Sequence, residues 1–331
     1  MIQLNKEINF SLWCDFIERD FLEDGFKQLI HNNTIQGATS NPSIFEQSIT
    51  NSQAYTQQID MLQANNEKRI YEELAIADIK RAANLMQELY DDNSNNGFVS
   101  IEVDPFYCDD AKATIEEGER LYQAIGCDNV MIKVPATNAG YIAMQELTSK
   151  GISVNATLIF SDKQAIECAK ALDAGIKQSN QDTKAVISVF VSRFDRALDE
   201  ELEHLGVTPS KTGIINATKC YHEIEKFENP NIRTLFASTG VKGDKLPVSY
   251  YVDNLVYPHS VNTAPLGTIN GYIQNDIFKK SDILSEQECD EYFDTLLTHK
   301  IDINKVSQTL LVDGLEAFKV SFANMLKKLK R

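Results

Sequence analysis

One lysine stands where an ordinary core would have none. Lys133 lies in VMIKVPA, flanked by Met131, Ile132, Val134 and Pro135. An ionisable group in an apolar run needs a reason, because burying a charge without a partner is costly. Two bland reasons exist. The stem can lie along the core while the ammonium snorkels to water at a strand edge, or the lysine can be half of a buried ion pair. The third reason is chemistry. A desolvated lysine loses basicity and becomes a nucleophile for carbonyl carbon. At a pKa near 10.4 only about one lysine in 2,500 is neutral at pH 7. A pKa near 8 raises that to roughly one in ten. A Schiff base would then supply a cationic iminium able to accept electrons from a breaking C–C bond.

Such a reaction needs a group to manage protons. Asp15 and Glu102 each end an apolar run, SLWCD and VSIEVD. Each also has a plain structural reading. Asp15 fits the N-cap of a helix over residues 17–22. Glu102 fits the counter-ion of a core lysine, a role that can coexist with catalysis. The same scan for polar groups inside apolar runs gives Asn41, Asn155, Thr157, Ser188 and Ser238.

Elements of a particular kind must hold these residues. Short apolar runs occur at residues 11–16 (SLWCDF), 37–40 (GATS), 98–103 (FVSIEV), 130–135 (VMIKVP), 153–160 (SVNATLIF), 185–191 (AVISVFV), 234–238 (TLFAS) and 250–255 (YYVDNL). Without a polar alternate face they read as parallel strands covered by helices. Amphipathic stretches separate them, at 110–125, 141–148 and 161–174, where Ser161 is a good N-cap. Residues 51–90 must hold more than one helix. Residues 314–329 close the chain with the stripe Leu315, Phe318, Phe322, Met325 and Leu329, and Lys327, Lys328 and Lys330 suit a helix C-terminus. Eight strands with helices between them predict a (β/α)8 TIM barrel, one domain over 1–331, with a helical insertion at about 50–95 and a last helix at about 306–330. A doubly wound sheet is the alternative, but no GxGxxG follows an early strand. In a barrel, catalytic groups sit at the C-terminal strand ends.

Composition narrows the partners. The 331 residues are 43% hydrophobic and 24% charged, with a net charge of −16. Nucleic acid would need a basic stripe, whereas a small anionic substrate needs only two or three local cations. No apolar run approaches membrane length, and residues 1–7 show no signal-peptide core. The six cysteines are scattered without a CxxC pair and the five histidines without metal-ligand spacing, so no metal and a reducing, cytoplasmic setting are expected.

At this point the residues resemble a known family. GATSNPSIF at 37–45, VMIKVPAT at 130–137, VNATLIFS at 154–161 and ISVFVSR at 187–193 are similar to motifs of the transaldolases, and SLWCDF followed by ERDFLEDG is similar to that family's first strand and helix. The match runs in register from about residue 9 to the last helix. The resemblance implies a (β/α)8 barrel with the lysine on strand four. It also implies transfer of a dihydroxyacetone unit from sedoheptulose 7-phosphate to glyceraldehyde 3-phosphate, giving erythrose 4-phosphate and fructose 6-phosphate. That is a step of the non-oxidative pentose phosphate pathway, without cofactor or metal. The expected partners are sugar phosphates, with no nucleic acid or membrane, in a monomer or homodimer.

Residue by residue, the resemblance makes Lys133 the Schiff-base lysine and Asp15 the acid/base on the ketose C4 hydroxyl. Glu102 and Thr157 hold the catalytic water. Asn41, Asn155 and Ser188 bind hydroxyls of the dihydroxyacetone unit, and Arg193 and Ser238 bind phosphate. In the related fructose 6-phosphate aldolases a glutamine and a tyrosine stand where this chain has Glu102 and Phe190, which favours transfer over release of dihydroxyacetone. One departure stands out. Family members often carry an arginine two residues after the strand-seven serine, where this chain has Gly240. Lys242 is the expected second cation. The rivals are an aldolase on the same barrel and a non-catalytic sugar-phosphate-binding barrel.

Overall fold

The unalternated apolar runs fold as parallel strands because both their faces are covered. In the computed structural model, which describes residues 2–275 and 278–329, eight strands close a barrel. They are β1 (Ser11–Cys14), β2 (Gly37–Ala38), β3 (Phe98–Glu102), β4 (Val130–Pro135), β5 (Val154–Ile159), β6 (Ala185–Phe190), β7 (Ile232–Ala237) and β8 (Ser260–Ala264). They pair in sequence order, and β1 closes on β8 through Ser11 opposite Val261. This is the expected (β/α)8 barrel.

The eighth strand is not where the apolar pattern put it. Residues 250–255 contain the short helix Tyr250–Asn254, and β8 follows as SVNTA. β8 can carry polar residues because several of them find partners inside the barrel, although the Asn262 amide nitrogen is buried without one. Thr239 Oγ1 donates to Asn262 Oδ1 at 3.0 Å, and the Thr39 and Thr263 hydroxyls share a bond of 2.7 Å. A search for greasy runs passes over such a strand.

Inside the barrel Trp13, Phe98, Met131, Val186, Leu235 and Val261 pack into one cluster. Gly37 is required by that packing, since a Cβ there would sit 2.4 Å from the Trp13 ring. Outside, the larger core lies between strands and helices.

Local capping places the helix starts. Asn41 and Ser161 cap the helices Pro42–Asn51 and Asp162–Gln178 through their side-chain oxygens. Asp15 is not a cap, because Glu18 caps Arg19–Glu23. Residues 51–90 do hold separate helices, Thr56–Met61 and the long Glu67–Asp92, which packs on β3. The last helix spans Ile303–Leu329, eleven residues earlier than its apolar stripe suggested. Lys330 lies outside the described residues. This helix crosses the mouth of the barrel, touching Pro42–Asn51, Glu67–Asp92 and the end of β5. All six cysteines are free thiols. No helix among the described residues is long and apolar enough to cross a membrane, and none of their His, Cys, Asp and Glu side chains cluster as a metal site.

Candidate active site

Register assembles the centre. Parallel pairing sets Glu102 of β3 beside Lys133 of β4, and Lys133 beside Asn155 of β5. The Lys133 ammonium is buried, with 6% of its side chain exposed, and stands 3.5 Å from Glu102 Oε2. It donates to the Ser40 carbonyl at 3.1 Å and lies 5.8 Å from the Phe318 ring centroid. The lysine is therefore an inward-pointing buried cation and does not snorkel. Its ion-pair partner is the carboxylate that the sequence marked out.

The two carboxyls differ in their surroundings. Burial raises the Glu102 carboxyl to about 7; the nearby Lys133 opposes this and the negative charge of Asp15 adds to it. A group poised near 7 can both give and take a proton at neutral pH. Burial also raises the Asp15 carboxyl, against the pull of Lys133 and of Thr39 Oγ1, which donates to Asp15 Oδ1 at 2.6 Å. Glu102 Oε2 and Thr157 Oγ1 are buried without a protein hydrogen-bond partner. Both have bonding capacity to offer a small polar molecule.

Above this centre opens a cavity of about 210 Å³. Of the sequence candidates, Asp15, Asn41, Lys133, Thr157, Ser188, Phe190, Arg193 and Ser238 line it. Asn41 spends its Oδ1 on capping Ile44 N at 3.0 Å, which leaves its amide donor for the cavity. A register shift in β5 between Ala156 and Ile159, with Leu158 in the left-handed region at φ 61°, kinks the strand just beyond Thr157. Arg193 stacks over Phe190 at 5.1 Å and over Phe160 at 5.8 Å. Ser238, also left-handed at φ 56°, turns the end of β7 so that its hydroxyl meets Ser192 Oγ at 3.2 Å.

Three candidates lie elsewhere. Glu102 sits behind Lys133. Asn155 is fully buried below the cavity, accepting from Ser188 Oγ at 2.6 Å and donating to Ser100 Oγ at 3.0 Å. Here it orients Ser188. Lys242 is exposed, does not line the cavity and has no ion-pair partner among the described residues. The expected second cation is thus outside the site as it stands.

Besides Ala237 of β7, four lining residues escaped the sequence reading. Thr39 lies inside the quoted GATSNP motif, and the criterion that selected Asn41 also fits it. Thr263 belongs to the strand that was missed. Ser43, whose hydroxyl meets Ser321 Oγ at 2.9 Å, and Phe318 come from helices, where nothing in the sequence marks a face turned toward a cavity.

Comparison with known proteins agrees across the chain. Residues 12–329 match the family model described as transaldolase/fructose-6-phosphate aldolase. A transaldolase of Helicobacter pylori strain P12 is 45% identical over 96% of this chain and 98% of its own. A transaldolase of Campylobacter jejuni subsp. doylei is 45% identical over 97% of this chain and 99% of its own. Among solved structures, a fructose-bisphosphate aldolase of Campylobacter jejuni superposes with a TM-score of 0.42 at 10% identity, over 98% of this chain and 92% of that one.

Proposed function

The chain belongs to the transaldolase/fructose-6-phosphate aldolase family, and from that premise we propose how its barrel mouth works as a transaldolase. The observation that carries the reading is one buried amine, Lys133, held between the peptide of Ser40 and the Glu102 carboxyl at the C-terminal strand ends. The reaction is transfer of a dihydroxyacetone unit from sedoheptulose 7-phosphate to glyceraldehyde 3-phosphate in the non-oxidative pentose phosphate pathway.

The neutral amine of Lys133 attacks C2 of the ketose. Glu102, near pH 7 in its titration, protonates the departing carbinol hydroxyl through a water that Thr157 helps hold, and water leaves as the iminium forms. Asp15 accepts the proton of the C4 hydroxyl. The C3–C4 bond breaks, its electron pair moves to the iminium, and erythrose 4-phosphate departs. The three-carbon enamine stays on Lys133 until the acceptor aldehyde arrives, and Asp15 returns its proton to the new alkoxide. Hydrolysis of the iminium then releases fructose 6-phosphate. Asn41 and Ser188, the latter braced by Asn155, hold the hydroxyls of the bound unit. Arg193 and Ser238 face the phosphate. Covalent storage of half the substrate gives ping-pong kinetics. Glu102 in place of glutamine and Phe190 in place of tyrosine support transfer over release of free dihydroxyacetone. A cytoplasmic setting accords with the six free thiols.

Borohydride added with fructose 6-phosphate is expected to fix a three-carbon adduct on the peptide bearing Lys133. An unshifted peptide mass would end the reading. In Asp15→Asn the whole six-carbon sugar should be trapped instead, because the iminium forms but the C3–C4 bond stays intact.

A further inference from the structure

Behind the reacting pair lies a second, smaller cavity. Its volume is about 10 Å³, and Glu102, Tyr71, Lys68, Glu72 and Glu117 supply its polar lining. No residue lines both this cavity and the one at the mouth. Lys133 lines the mouth, Glu102 lines the rear, and their contact of 3.5 Å stands between the two.

The rear cavity has the size and chemistry of a water site. About 10–15 Å³ seats one water, which needs two to four polar partners. Glu102 brings an unused acceptor, since its side chain is 3% exposed and its Oε2 has no hydrogen bond. The Tyr71 ring is locked edge-on against Phe45 and Phe322, with centroids 5.8 and 5.2 Å away. Its hydroxyl feels the charge of Glu102 first, then those of Glu117, Glu72 and Asp104, and hydrogen-bonds to none of them.

On its far side the cavity meets a charged network that reaches solvent. Glu117 accepts from Lys68 Nζ at 2.7 Å and from Asp104 N at 2.6 Å, and Arg120 grips Glu72 with two bonds of 2.7 and 3.0 Å. The side chains of Lys68 and Arg120 are 29% and 44% exposed, whereas Glu72 and Glu117 are buried. Two helices supply this network, Glu67–Asp92 and Ala111–Ile125. At the front, Glu102 faces Lys133 on β4 and, through space, Asp15 beyond β1. The last helix adds only the uncharged Phe322 to the rear lining.

We propose that the rear cavity seats one water through which Glu102 exchanges a proton with the Lys68–Glu117–Arg120 network, with Tyr71 and Glu117 as positioning residues for that water. The inference rests on the transaldolase reading for what the proton does, but not for where it travels. Glu102 gives up a proton when the iminium forms and regains one when the iminium is hydrolysed, so a cycle balances by itself. The path matters for the starting state. The Lys133–Glu102 pair is productive with one proton, as a neutral amine beside an acid. A pair holding two has no neutral amine and must release one. Sugar seated in the mouth blocks that side. Glu102 then passes its proton to the water, the water passes one of its own to the Glu117 carboxylate, and solvent takes it beside Lys68. The freed Glu102 carboxylate accepts the surplus proton of Lys133. Only O–H and N–H bonds form and break.

The test joins turnover of the full chain across pH with a crystal structure of the ligand-free chain. Ala75, fully buried, also lines the cavity, so Ala75→Val fills the place of the water and removes no polar group. Tyr71→Phe keeps the ring contacts and removes only the hydroxyl. Each is expected to lower kcat about tenfold near pH 6, where the pair starts with two protons, and no more than about twofold near pH 8, with KM unchanged. Glu117→Gln should follow the same pattern. A merely structural role would lower kcat by one factor at every pH. That result, or three variants that match wild type, would overturn the proposal. The crystal is expected to show one ordered water between Glu102 and Tyr71 in wild type and none in Ala75→Val, and a dry wild-type cavity would also overturn it. A wild-type chain that holds this water but traps no adduct with borohydride would sink the transaldolase reading and leave the water site standing.

Discussion

The barrel buries a cation at each end of its axis, and the two ends solve the same electrostatic problem differently. At the floor, Arg233 of β7 donates to the carbonyls of Asn9, Asn95 and Ser260 and to Ser11 Oγ, with distances of 2.6–3.0 Å. No carboxylate among the described residues pairs with it, and burial pushes its guanidinium downward. At the mouth, Lys133 has one carbonyl, one carboxylate at 3.5 Å, a second carboxyl acting electrostatically, and a cavity above it. Peptide dipoles cannot titrate, so the floor is a fixed clamp joining four segments of chain. Carboxyls titrate, so the mouth can move protons. Burial alone does not make a cation catalytic. Partners that change charge, and an opening to substrate, do.

That contrast can be broken at either end. The largest expected effect is at the mouth. Lys133→Met should lower transfer more than roughly 10⁴-fold, as removal of a covalent nucleophile does, while denaturation midpoints stay near wild type. A collapse in stability instead would mean that the mouth is a structural clamp like the floor. Arg233→Met should behave oppositely. It strands four acceptors, and a loss of about 3 kcal/mol or more is expected in urea unfolding, while the folded variant still traps the borohydride adduct. A normal unfolding curve would remove the clamp.

A subtler effect concerns pH. Glu102 titrates at about 7 in the folded chain against an ordinary 4.5. A carboxyl whose folded pKa is raised holds its proton more tightly in the native state. Its contribution to stability is therefore full below about pH 4.5 and is lost as pH rises through about 7. The shift corresponds to at most roughly 3 kcal/mol. Wild type should thus lose stability between pH 5 and 8 more steeply than Glu102→Gln, and parallel slopes would disprove this account of the site. The smallest effect is expected at Thr39. Thr39→Val removes the hydroxyl that holds Asp15 down, so the acidic limb of the kcat profile should move to higher pH. A fall of about tenfold in kcat with little change in KM should accompany it. A profile that stays in place would leave Thr39 a packing residue.

Much of the site was legible because its residues break a local rule. A lysine among Met, Ile and Val, a glutamate closing an apolar strand and polar residues such as Asn41 and Asn155 inside apolar runs each stand out against their own neighbours. Thr39 stood within reach of the same rule. Phe318 did not, because a phenylalanine in an apolar helical stripe looks alike whether it faces a core or a substrate. β8 was hidden for the converse reason, since polar side chains of its own, Thr263 and Asn262, meet Thr39 and Thr239 from other segments.

The sequence by itself determined most of the alternation of strands and helices, the Ser161 cap and the lysine set in an apolar run, because these depend on side-chain period and on neighbours within a few residues. The tertiary structure alone decided which carboxyl lies against that lysine, which strand closes the ring, and that Asn155 braces Ser188 from below. Those are matters of register and of long-range approach, and a hydrogen bond between residues 39 and 263 has no signature in either local segment.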